Sequence, residues 1–244
     1  GIKGNISRSI TVFEDDYCFD THAPSQEVVA LKEKWHGYDN GRIQVEASIH
    51  AEYTSFDKVW HALAEFAINS GIGMQVHVSE TQNEHDTCLE KYGLTPAQLL
   101  DVYHVWDTRA LAAHCVWLTE EDMELFARRG VTAVHCPNSN LKLASGIAPV
   151  RKMIDKGINV ALGTDGMSSS NHADLFEAVK LAALLLGLSE TLPVVMVSHG
   201  LRQSLRLASF LAVMEGGRVL RVVENPAGLS EADLEAMLDE TSEG

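Results

Sequence analysis

"ALAAHCVWLTEEDMELFARRGVTAVHCP", residues 110–137, holds two short apolar runs that each reach a His-Cys pair, with a charged amphipathic stretch between them. The runs have the length of strands, and the stretch between them is long enough for a helix. Thr119 stands where an N-cap belongs and is followed by acids, while Gly130 stands just past the last turn, where a left-handed C-cap belongs. Two strands joined through a helix must run parallel, because an antiparallel pair would need only a tight turn.

The same alternation extends in both directions. "GRIQVEASIH" precedes "FDKVWHALAEFAINSG", "GMQVHVSE" precedes "EHDTCLEKYG", "VTAVHCP" precedes "IAPVRKMIDKG", and "INVALGTDG" precedes "ADLFEAVKLAALLLG". Gly71 and Gly157 end their helices as Gly130 does. With the 110–130 unit these make five βα units, and "GIKGNISRSI" supplies a sixth strand at the front. Repeated βα units form either a doubly wound sheet or a TIM barrel. Neither GxGxxG nor GxxxxGK[ST] follows a strand, which favours the barrel. The expected fold is therefore α/β, a (β/α) TIM-type barrel. About six strands are countable where closure takes eight, so the barrel is expected to be truncated or rearranged. Residues 1–187 carry the barrel portion, and 188–244 form an atypical strand and helix segment that packs on it or completes it.

Composition limits the partners. The 244 residues are 45% hydrophobic, enough for one substantial core, and the formal net charge is -15. Nucleic acid and anionic membrane surfaces require a basic face, so a small neutral or cationic substrate is expected instead. Cys18, Cys88, Cys115 and Cys136 form no CxxC pair, which fits reduced thiols in a cytoplasmic setting. No apolar run approaches the roughly 18 residues of a membrane span, and the first residues lack the sections of a signal peptide. The chain begins with glycine, so upstream residues are expected. An incomplete barrel exposes strand edges, and a homodimer is expected to cover them.

In a barrel the chemistry lies at the C-terminal ends of the strands. Those ends supply His50, His77 with Glu80, His114, His135 and Asp165. Alternation predicts that Asp165 shares its face with Gly163 and Ala161, with Val160 and Leu162 turned to the helices. It also pairs His114 with Ala112 and sends Cys115 away, so the His-Cys pairs are not joint ligands. Imidazole nitrogen with carboxylate oxygen suits zinc or iron(II), and Glu80, just past the strand end, can move protons without binding metal.

The stretches "QVHVSETQNE", "LAAHCVWL", "HCPNSNLKLASGIAPV" and "GTDGMSSSN" resemble the amidohydrolase superfamily, in particular its 5-methylthioadenosine/S-adenosylhomocysteine deaminases, over residues 1 to about 187. The resemblance implies that His77 and Asp165 are ligands of one divalent metal, zinc or alternatively iron(II). It makes Glu80 the proton shuttle, His114 the group that orients the attacking water, and Asp165 the acceptor of that water's proton. It brings His50, in "HAEYTS", and Arg8, in "SRSI", to the substrate. The implied reaction is hydrolytic deamination of a purine or adenosine derivative by metal-activated water. Relatives acting on guanine, or on the C–N or C–Cl bond of a triazine, are the alternative within the same chemistry.

The chain departs from that family in two places. No HxH pair occurs, although family members carry one on the first barrel strand as ligands. The tail "VVMVSHGLRQSLRLASFLAVMEGGRV" is also unlike the family's usual end. It resembles the switch-histidine strand of ABC transporter ATPases, without their phosphate loop, or the family's own first strand moved to the C-terminus, with His199 replacing one lost ligand. It also reads simply as a covering strand and helix. Without the pair, a catalytically incomplete scaffold or fragment that lacks the metal is the reading from a different class.

Overall fold

A computed structural model of the chain describes residues 3–171, 173–191, 210–215 and 218–224. It divides into two compact units, Gly1–Gly187 and Leu188–Gly244. In the first, six strands form one parallel sheet whose spatial order is the sequence order: β1 (Gly4–Ile10), β2 (Ile43–Ile49), β3 (Met74–Val78), β4 (Ala110–His114), β5 (Thr132–His135) and β6 (Asn159–Leu162). Every connection that the sequence reads as helical contains a helix, and an additional helix, Ala23–Trp35, links β1 to β2. An unreversed order with helical crossovers is the winding of a barrel rather than of a doubly wound sheet, whose order turns back on itself. Six of a barrel's eight strands are present among the described residues.

In the second unit, β7 (Phe210–Glu215) and β8 (Arg218–Glu224) pair antiparallel as a hairpin. His199 lies outside the described residues, so its expected place as a ligand has no structural counterpart here.

The two faces of the parallel sheet differ. Ala47, Met74, Val76, Val78, Ala110 and Ala112 lie fully or almost fully buried on the face that packs against helices carrying Trp60, Trp106 and Phe126. The cross-strand partners of the other face, Gln75, His77, Leu111, Ala113 and Val134, are half-buried. Burial of the helix-covered face against large aromatic rings is the main source of stability, at about 25 cal/mol per Å2 of apolar surface.

The predicted helix ends hold. Thr119 accepts a hydrogen bond from the Asp122 amide at 3.1 Å while Asp122 accepts one from the Thr119 amide at 2.9 Å, a reciprocal cap. Gly71 and Gly130 take the left-handed conformation, with φ of 65° and 68°.

Register also decides Arg8. It pairs with Ala47, so it lies on the helix-covered face of the sheet, and its Nε is 2.8 Å from Glu27 Oε2 on the neighbouring helix. The expected contact of Arg8 with substrate is therefore corrected: the guanidinium is held on the outer side of the sheet.

Candidate active site

At the C-terminal ends of β2 to β4 three imidazole rings stand in a row. His50 and His77 have ring centres 4.8 Å apart, and His77 and His114 are 5.3 Å apart and nearly parallel. His77 reaches this row by ordinary alternation, on the same face as Gln75.

His114 and Asp165 arrive differently. His114 is in register with Val78, which faces the helices, yet its φ of 71° and the φ of 52° at Cys115 turn the chain left-handed and swing the ring into the mouth. Asp165 lies three residues beyond the end of β6 and has φ of 59°. The predicted pairing of His114 with Ala112 is corrected on the same ground: Ala112 is buried with Ala110 on the helix-covered face, and His114 departs from the strand's alternation. Ser79, beside Glu80, is also left-handed at 48°. A non-glycine residue held in this region costs about 1 kcal/mol or more, and such residues concentrate at functional sites.

Each donor is oriented by a second group. His77 Nδ1 is 2.6 Å from the His50 carbonyl oxygen, which can only accept, so Nδ1 carries the proton and Nε2 is bare. His114, 1% exposed, has Nδ1 2.8 Å from Asn140 Oδ1 and presents Nε2 to the carboxylates: Glu80 Oε2 at 3.8 Å and Asp165 Oδ2 at 4.0 Å. Asp165 accepts from the Ser139 hydroxyl at 2.6 Å and from the Gly166 amide at 2.7 Å. Glu80 accepts from Ser145 Oγ at 3.3 Å. The backbone around Glu80 is gripped by the buried Glu84 carboxylate, which accepts from the amides of Ser79 at 2.6 Å, Glu80 at 2.7 Å and Thr81 at 3.3 Å.

The charge states follow the surroundings. Burial lowers the His77 pKa below the ordinary imidazole value, against the raising effect of its bond to His50, and so favours the neutral ring a metal requires. Burial alone would raise Asp165, but its hydrogen bonds from Ser139 and Gly166 and the nearby His114 and His77 hold it below its ordinary value, as an anion. His135 is brought to about 4 by burial and by His114; its Nδ1 has no partner among the described residues, and it is 3% exposed. His135 does not join the cluster.

His77, His114 and Asp165 each offer one ligand atom, all within 4.8 Å of one another. Neither Glu80 nor Asp165 is paired with a lysine or arginine among the described residues. Two bare imidazole nitrogens and an anionic carboxylate converging without a counter-cation fit one divalent metal ion, and three protein ligands is the usual number in a catalytic zinc site. His114, expected only to orient water, also offers a donor atom beside those of His77 and Asp165. His50 flanks the row, its Nδ1 3.2 Å from Thr54 Oγ1, where a substrate at the mouth can meet it.

The chain is similar to known proteins. The amidohydrolase family model matches residues 3–213. The 5-methylthioadenosine/S-adenosylhomocysteine deaminase of Caldanaerobacter subterraneus subsp. tengcongensis is 44% identical over 185 residues, 76% of this chain and 42% of that protein. The 5'-deoxyadenosine deaminase of Methanosarcina mazei is 43% identical over 175 residues, 72% of this chain and 40% of that protein. Among solved structures, an adenosine deaminase from Xanthomonas campestris with bound zinc superposes with a TM-score of 0.68 at 29% identity, covering 83% of this chain and 45% of that one. The chain thus spans less than half the length of the relatives it matches. With motifs, winding and family model in agreement over most of its residues, the chain belongs to the amidohydrolase family.

Proposed function

We propose that this chain carries the catalytic core of a hydrolase that deaminates the adenine ring of a small nucleoside of the 5-methylthioadenosine, S-adenosylhomocysteine or 5'-deoxyadenosine type. The observation that carries the reading is the convergence of His77, His114 and Asp165 within 4.8 Å, with the Glu80 carboxylate beside them. Relatives named as deaminases of these nucleosides support the substrate class. The nitrogen and oxygen donors suit zinc and iron(II) alike, and the zinc named in the Xanthomonas structure supports zinc.

When bound, a divalent cation supplies Lewis acidity and a water acidic enough to react near neutral pH. The protein's own groups do the rest. Water adds to the ring carbon that bears the exocyclic amine, and Asp165, kept anionic, accepts its proton. Glu80 hands a proton to the adjacent ring nitrogen. The amine then takes up the proton held by Asp165 and leaves with the electron pair of the C–N bond as ammonia, while the new hydroxyl on that carbon returns a proton to Glu80 as it becomes the oxo group, so water and nucleoside are exchanged for the oxo product and ammonia. His50 and the half-buried residues at the strand ends face the substrate. The negative chain fits an uncharged or cationic nucleoside better than a nucleotide.

The free thiols, three of them buried, and the absence among the described residues of a helix long and apolar enough to cross a membrane fit a cytoplasmic setting. Pairing of two copies along a sheet edge would give a homodimer.

The test is ammonia release from the three nucleosides by the zinc-loaded chain. Turnover that disappears in Glu80→Gln is expected. No release from any of them, with zinc bound, would contradict the reading.

A further inference from the structure

One short segment touches three separate groups of the site. After β5 the chain enters the helix Pro137–Lys142 and then turns through Leu143, Ala144 and Ser145. Ser139 Oγ donates to Asp165 Oδ2 at 2.6 Å, Asn140 Oδ1 lies 2.8 Å from His114 Nδ1, and Ser145 Oγ donates to Glu80 Oε1 at 3.3 Å. All three side chains are buried, at 0%, 1% and 4% exposure. Burying a serine or asparagine is unfavourable unless its polar atoms are matched, and here two carboxylates and an imidazole of the site match both serine hydroxyls and Asn140 Oδ1, while Asn140 Nδ2 is buried without a partner among the described residues.

The backbone of the segment is fixed independently. The Ser145 amide donates to the Asn140 carbonyl at 2.8 Å, and Trp117 Nε1 donates to the Ser145 carbonyl at 2.8 Å. Between the two serines, Ala144 is held left-handed at φ 53°, a conformation alanine avoids without a compensating constraint. That turn brings Ser145 back toward Glu80.

We propose that residues 137–145 are a positioning element that aims Asp165 through Ser139, His114 through Asn140 and Glu80 through Ser145. It rests on the reading of His77, His114 and Asp165 as metal ligands. Asn140 sets the tautomer: accepting from Nδ1–H, it leaves Nε2 of His114 as a lone pair directed at the cluster. Ser139 acts on a ligand, whereas Ser145 acts on a proton carrier. The three contacts therefore have separable consequences.

The experiment has two arms on the full chain. In metal-free protein at one fixed pH, long-range 1H–15N spectra report which nitrogen of His114 carries the proton. Nδ1–H is expected in the wild type and in Asn140→Asp, which keeps the accepting oxygen, and its loss is expected in the isosteric Asn140→Leu. In the second arm, zinc alone is titrated against a competing chelator. Ser139→Ala and Asn140→Leu are expected to weaken zinc by about tenfold or more, the size of effect seen when a group that orients a ligand is removed. Asn140→Asp and Ser145→Ala are expected to stay within about twofold of the wild type, because the first keeps the hydrogen bond and the second acts on a group that is not a ligand. An unchanged tautomer in Asn140→Leu, or Asn140→Asp falling as far as Asn140→Leu, would overturn the proposal. A wild type that binds no zinc contradicts the functional reading instead, and the spectra still decide the role of Asn140.

Discussion

The two ends of the parallel sheet each hold carboxylate out of full contact with solvent, but they treat it in opposite ways. Near the strand starts, Glu46 is 1% exposed and fully matched, with Arg109 Nη2 at 2.8 Å and Gln75 Nε2 at 2.9 Å. Near the strand ends, Glu80 and Asp165 meet two histidines through bare nitrogens, with no fixed cation among the described residues. The backbone differs as well. The start is closed by Gly73, at which a Cβ would collide with the Arg109 carbonyl and the Glu46 carboxylate, whereas Ser79, His114, Cys115 and Asp165 are all left-handed at the other end. A matched charge and a close-packed backbone serve stability. Donors that converge without a counter-cation among the described residues, held at a conformational cost, fit the binding of a cation.

If that contrast is right, substitutions at the two ends separate activity from stability. The largest effect belongs to Glu80→Gln, which should lower ammonia release by roughly 10^2 to 10^4-fold, the usual size of a lost proton transfer, while leaving zinc content and melting temperature unchanged. A simultaneous loss of zinc would make Glu80 a ligand and break the comparison. Next is Gly73→Ala, whose added methyl has no room: about 2–3 kcal/mol of stability should be lost in urea unfolding, with zinc affinity intact.

A third test uses the acids beneath the mouth. Glu52, 3% exposed, is raised to about 8 by burial and by the neighbouring Glu84 carboxylate. The folded pKa lies above the model-compound value of 4.5, so the fold holds Glu52 neutral while the unfolded chain releases the proton. Its contribution to stability is fully present below about 4.5 and is lost as pH rises through about 8. Glu52→Gln, neutral at every pH, should match the wild type near the acid end of that window and exceed it at the alkaline end by on the order of 2 kcal/mol. Parallel stability curves would show that Glu52 is not held neutral. The smallest effect is Ala144→Gly, which relieves a left-handed alanine and should change stability by less than about 1 kcal/mol in either direction, since the relief is opposed by the added freedom of the unfolded chain.

The helix-covered face was legible in the sequence because it follows the two simplest rules. Apolar alternation located β2 to β6, and the Thr119 and Gly130 ends bracketed their helix. His77 was legible for the same reason, standing in step with Gln75 on its strand. His114 and Asp165 were assigned to the mouth from strand alternation, which is not the route their backbone takes. Strand alternation would have buried His114 with Val78, and only positive φ values, which residue type does not announce outside glycine and asparagine, carry both side chains inward. Arg8 failed through register. It is polar and near a strand end, but its partner Ala47 fixes it on the outer face, and that pairing is invisible until the sheet is assembled. Ser139, Asn140 and Ser145 were quoted in a motif without a role, because serine and asparagine after a strand read first as turn formers. Their burial is what distinguishes them.

The measurement that tests the account most directly is metal content per chain, by elemental analysis after zinc loading and removal of excess, for the wild type and for His77→Ala. The account predicts about one zinc per wild-type chain and its loss from the variant, since His77 is one of the three donors that converge among the described residues and structural order should survive its removal. A wild type that stays metal-free after zinc is supplied, or a variant that keeps its zinc, would contradict the assignment of His77, His114 and Asp165 as the metal centre.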